Sequence, residues 1–168
     1  MDSMKKQMQN GNFYLGVAFI VMAILFYSSA QTYQEQSQIS NLQHLLKNEP
    51  FLESFSKINF MYGGSEVSIA SQGYFSFVEF FIRKAAHFTT YFIMGGSLFL
   101  GVYPRLNTLW LTGVLSWLAA TGYAGLDEFH QMVTGGRSPM FQDVMLDSVG
   151  ALVAVSICIL IFVIKKKR

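Results

Sequence analysis

The chain has 168 residues, of which 52% are hydrophobic and only 13% charged, against roughly 25% charged in an ordinary soluble domain. Its net charge of +2, with half of its 12 basic residues near the chain ends, gives no case for a nucleic-acid partner. A lone cysteine, Cys158, excludes a disulfide within one chain and any thiolate metal cluster, which leaves one compact domain in a lipid bilayer.

The first apolar run, 13–30, is close to the ~20 residues of helix that cross a bilayer. Lys5 and Lys6 before it and Ser28-Ser29-Ala30 after it resemble the flanks of a cleavable signal peptide, but its length favours a retained first span. From 31 to 72 the composition turns polar, as expected of a loop outside the membrane. Within it Ile39, Leu42, Leu45 and Leu46 recur at helical spacing, as do Phe51, Leu52, Phe55, Ile58 and Tyr62 after Pro50. The spacing predicts two short amphipathic helices that lie on the membrane surface or cap the bundle, with a break at Gly63-Gly64-Ser65. His44 has no partner at metal spacing and is expected to be a solvated surface group.

The next apolar block, 74–103, is too long for one simple span, and Glu79, Arg83 and Lys84 interrupt it. It is expected to divide into an interfacial aromatic belt up to Ile82 and a span over 84–102, with no role beyond the interface for Glu79 or Arg83. Pro104-Arg105-Leu106-Asn107 predicts a tight turn, 108–126 a third span, and 144–164 a fourth. The expected fold is therefore all-α: an integral membrane bundle of four transmembrane helices with short amphipathic helices in its first outer loop. It divides into 1–30, 31–82 and a core over 83–168.

Lysine and arginine near the span ends set orientation. Lys5, Lys6, Arg105 and Lys165 to Arg168 fall on one side with only Asp2 as an acid, and the acidic residues otherwise gather on the other. Both termini should be cytoplasmic, and the long loop and the 127–143 segment should face outward from the cell membrane.

Helix periodicity then brings polar residues together. Lys84, His87 and Tyr91 share a face that continues inward at Gly95; Gly113, Ser116, Ala120 and Ala124 lead outward to Asp127 and Gln131; Asp143 and Asp147 lead inward to Gly150, Ala154 and Cys158. Each stripe is polar at its outer end and small further in, which predicts an outward polar cavity closed below by tight helix packing. The alternative is a structural salt-bridge network, with Asp127 or Glu128 on Arg137 and Asp147 on Lys84 or His87. His130 is expected to be a loop neighbour.

The pattern Lys84-x-x-His87-x-x-x-Tyr91, Asp127-Glu128-x-x-Gln131, Arg137, Asp143 and Gly150 resembles the VanZ-like family, over about 84–154. That family is named for a protein associated with low-level teicoplanin resistance, and its biochemical activity is not settled. Where the family usually has asparagine this chain has Asp147, a residue that accepts but, when ionised, cannot donate.

Three readings of the cluster follow. In the first, it binds an anionic lipid-linked cell-wall precursor at the outer leaflet, with Lys84, Tyr91, Gln131, Arg137, Asp143 and Asp147 as ligand-binding residues. His87, Asp127 and Glu128 would be its catalytic acid and base groups, or oxygen ligands of a divalent cation. No nucleophilic serine stands out, since Ser138 precedes Pro139 without an elbow motif, and no zinc HExxH motif occurs. In the second, the protein binds or shields the precursor from a glycopeptide without chemistry. The third, a transporter, finds neither an inverted repeat nor a charged inner half.

Overall fold

The computed structural model describes residues 2–135 and 139–166, with side chains described over 10–134 and 139–165. Arg137, Ser138 and the last two basic residues of the tail lie outside the described residues. Four helices are long and apolar enough to cross a membrane: α1 (Asp2–Ser29), then, after an intervening cap, α6 (Tyr74–Leu106), α7 (Leu109–Gly135) and α8 (Phe141–Lys166). The cap comprises α2 (Tyr33–Gln36), α3 (Ile39–Leu45), α4 (Leu52–Phe55), the strands β1 (Asn59–Tyr62) and β2 (Ser65–Ser68), and α5 (Ile69–Gln72).

Three expectations are corrected here. The second amphipathic helix is only the single turn α4; from Asn59 the chain forms an antiparallel hairpin in which Tyr62 pairs with Ser65. Gly63 and Gly64, both at positive φ, make its two-residue turn, so local turn chemistry overrides the apolar spacing that ran on to Tyr62. Nor does the block from Tyr74 divide. All 33 residues of α6 form one helix, roughly 50 Å at about 1.5 Å per residue, so its first turns stand beyond a hydrocarbon core of about 30 Å. Finally, the turn expected from Pro104 shrinks to Asn107 and Thr108, because Asn107 adopts the left-handed conformation and returns its amide to the Tyr103 carbonyl at 2.9 Å.

Helix α6 is the hub, packing against α8, α1 and α7. Lipid tails supply no hydrophobic drive between helices, so close approach matters most. At Gly150 a built methyl would lie 2.6 Å from the Phe88 carbonyl oxygen, and at Gly95 one would lie 2.8 Å from the Ala151 backbone. The backbones of α6 and α8 therefore touch, as the small-residue stripes predicted. Tyr123 of α7 donates to the Met22 carbonyl of α1 at 2.6 Å, and Trp117 donates to the Ser148 hydroxyl of α8 at 2.9 Å. These bonds tie α7 to α1 and to α8 around the hub.

Gly150→Ala should lower the melting temperature of the detergent-solubilised protein, with a cost of about 1–3 kcal/mol for overpacking against backbone. Gly122→Ala, which meets nothing within 4 Å, should leave it unchanged or raised. Equal melting of the two variants would contradict the tight crossing of α6 and α8.

Candidate functional site

The site lies at the end of the bundle away from both chain termini, where α1 and α7 finish and α6 and α8 begin. Asp127, Glu128 and Gln131 fall on α7, which runs two turns beyond the expected span end and carries them into the bundle. All three are buried, as is Asp147 on α8. Charge at this depth is costly unless it is partnered.

Two ion-pair contacts join α6 to α8. Lys84 meets Asp143, and His87 Nδ1 lies 3.3 Å from Asp147 Oδ2. On α7, Gln131 donates to Asp127 at 3.3 Å, and Glu128 accepts the Met140 backbone amide at 2.9 Å. Beneath these, the Tyr91 hydroxyl, Asp127 Oδ1 and Asp147 Oδ1 are among the buried polar atoms with no hydrogen-bond partner among the described residues. Tyr91 is fully buried and sits in the electrostatic field of both aspartates. Orphan polar atoms of this kind are rare in folded proteins.

Above this layer opens a cavity of about 400 Å³, whose wall includes Glu79, Arg83, Lys84, His87, Gln131 and Asp143. The arrangement is two-tiered. His87 and Gln131 line the cavity, and each is held from behind by a buried aspartate, Asp147 and Asp127 respectively. An imidazole bonded through one nitrogen to a buried carboxylate, with its ring on a cavity wall, has the geometry of an oriented general base. Tyr91, Asp127, Glu128 and Asp147 do not line the cavity; they stand behind it.

Sequence reasoning missed four contributors. Glu79 is 1% exposed, and accepts from the Tyr33 hydroxyl at 2.7 Å, from the Ser37 hydroxyl at 3.0 Å and from the Gln38 amide. Its carboxylate thus fastens the start of the cap across the cavity. Arg83 sits 4.9 Å from the centre of the Tyr33 ring and donates to Gln36 at 3.4 Å. Tyr62, at the hairpin tip, donates to Asp143 at 2.5 Å, and Lys84 lies 4.8 Å over its ring. Burial and the Asp143 carboxylate both push the Tyr62 phenol above its ordinary value, so it stays protonated and keeps donating. A signal for Glu79 and Arg83 existed: Glu79, Arg83, His87, Tyr91 and Gly95 follow one another at i+4 along α6.

His130 lies on α7 rather than in a loop, in hydrogen-bond contact with Ser29 at 2.9 Å and stacked on Phe26. It therefore ties α7 to α1. Arg137 lies outside the described residues, so its expected pairing with Asp127 or Glu128 has no geometry here. Among the described residues, no group of three or more His, Cys, Asp or Glu side chains is placed to hold a metal ion, so the alternative of a divalent cation has no ligand set among them.

Glu79→Ala should release the cap without unfolding the bundle. Amide hydrogen exchange at Gln38 should quicken by about tenfold or more, since a hydrogen bond to a charged group contributes about 1.5–3 kcal/mol. Exchange in α7 and α8 should not change.

A family model described as VanZ/LLP1 matches residues 13–163. Neither a curated protein nor a solved structure matches the chain.

Proposed function

The chain belongs to the VanZ/LLP1 family, and from that membership together with the site's geometry we propose that it is a bacterial cell-membrane protein whose cavity faces outward and holds the anionic headgroup of a lipid-linked envelope component. One observation carries the proposal. The cavity brings Arg83, Lys84 and His87 to its wall at the end of a membrane bundle, where phosphate groups of lipids lie. Arg83 suits this role because its planar fork matches phosphate oxygens, and its contacts with Tyr33 and Gln36 leave it in no ion pair among the described residues. His87, steered by Asp147, is in this proposal the group that exchanges a proton with the ligand. Arg137, in the connection between α7 and α8, is a further cation of the same proposal.

Orientation rests on the basic residues near Lys5, Arg105 and Lys165, which favour a cytoplasmic location for both termini. A contribution to teicoplanin resistance rests on family analogy alone.

A second reading is favoured by the contacts between α6 and α8: Lys84 with Asp143 and His87 with Asp147 can serve as a structural network that sets helix register. Arg83 separates the two, since it belongs to neither pair. Arg83→Gln should keep the wild-type melting temperature and weaken binding of a polyprenyl phosphate in nanodiscs, read by native mass spectrometry, by about tenfold for one lost charge-assisted contact. In a host lacking its own copy, the same variant should lose whatever protection against teicoplanin the wild type confers. Unchanged binding with Arg83→Gln, alongside lowered melting for Lys84→Met, would favour the structural network instead.

A further inference from the structure

Beside the polar cavity, on the lipid-facing side of α8, runs a second concavity of about 450 Å³ lined by Tyr62, Phe141, Gln142, Met145, Leu146 and Val149. Phe141, Met145 and Val149 recur every four residues and are 72%, 50% and 45% exposed, so they form one open apolar strip along the helix. The strip ends against Tyr62. That tyrosine donates to Asp143, which lines the polar cavity and meets Lys84 on its wall. The contacts of Tyr62 with Asp143 and of Asp143 with Lys84 therefore link the apolar strip to the wall of the polar cavity.

Nothing in the core of the bundle requires this juxtaposition. The hairpin could cap the helices without sending a tyrosine between them, yet Gly63, at its turn, rests on Met140 and places Tyr62 over the first turn of α8. A phenol suits such a border, since its ring faces hydrocarbon and its hydroxyl faces charge. Lys84 lies over both the Tyr62 and Phe80 rings, so its stem and the two aromatic faces make an amphipathic threshold.

Resting on the headgroup reading above, we propose that the strip on α8 seats the hydrocarbon chain of the same phosphate-bearing lipid. The ligand then enters sideways from the bilayer, with Tyr62, Asp143 and Lys84 as the threshold between headgroup and chain. Its occupant is fixed by continuity and charge: a pocket with Arg83, Lys84 and His87 on a wall that also carries Glu79 and Asp143, joined to an apolar strip on α8, matches an anionic amphiphile with at least one long chain. A water-soluble phosphate would leave the strip unused.

The test uses the full-length protein in phosphatidylcholine nanodiscs containing a small fraction of phosphatidic acid with a photoactivatable diazirine in the headgroup-proximal part of one acyl chain, at the depth of the strip. Crosslinks located by mass spectrometry should concentrate on Met145 and Val149. Excess unlabelled phosphatidic acid should abolish that concentration, whereas diacylglycerol should not. Val149→Trp, which fills the strip at a lipid-exposed position, should lose these crosslinks and keep the binding of short-chain dihexanoyl phosphatidic acid. If crosslinks fall equally on the lipid-facing Trp110 and Leu118 of α7 while Arg83→Gln still weakens polyprenyl phosphate binding, the chain-seating proposal is overturned and the headgroup reading stands. If phosphatidic acid and diacylglycerol compete alike and Arg83→Gln binds as wild type, the headgroup reading fails and takes this proposal with it.

Discussion

The structure depends on the contact between α6 and α8. Gly150 against the Phe88 carbonyl and Gly95 against Ala151 let two backbones touch in a medium that offers no hydrophobic reward for association. That approach brings Lys84 to Asp143 and His87 to Asp147, pairs whose residues would be costly as isolated charges at the same depth. Further out along α6 the residues are longer and polar, and there the cavity opens against Tyr33 of the cap, Gln131 of α7 and Asp143 of α8.

The polar layer is incompletely satisfied, and its pattern is informative. Two of the cavity-lining groups, His87 and Gln131, each spend one contact on a buried aspartate behind them. Among the described residues each of those aspartates keeps one oxygen without a partner, as does Tyr91. A purely structural network gains most when every member is satisfied. Asp147 stands where the family resemblance implies asparagine, and His87 is the neighbour that meets it. A carboxylate in that position makes a stronger contact with the imidazole than an amide would.

Much of this was legible in the sequence, for identifiable reasons. The four spans follow from composition and length. The convergence of Lys84, His87 and Tyr91 with Asp127, Gln131, Asp143 and Asp147 follows from helical period plus the antiparallel order of the spans. The closing of the bundle below follows from the positions of Gly95 and Gly150. What escaped was non-local or split by assumption. The hairpin at 59–68 was hidden because Phe55, Ile58 and Tyr62 also fit a helix, and only the Gly63-Gly64 turn decides against it. Dividing the block at Ile82 cut the i+4 stripe from Glu79 to Gly95, which concealed Glu79 and Arg83 as site residues. The bonds from Tyr33 and Tyr62 to Glu79 and Asp143 join segments far apart in the chain, and no local pattern announces them.

The account stands on a polar cavity that opens on the outer side of the membrane, and accessibility measures this most directly. In a Cys158→Ser background, Ser76→Cys places one thiol on the cavity wall, and Thr108→Cys places one at the opposite end of the bundle. Intact cells treated with a membrane-impermeant maleimide should label the first and not the second, and added short-chain phosphatidic acid should slow the labelling of the first. Labelling of Thr108→Cys alone in intact cells would contradict the outward site. Labelling of Ser76→Cys that the phosphate lipid leaves unchanged would contradict its role as a ligand pocket.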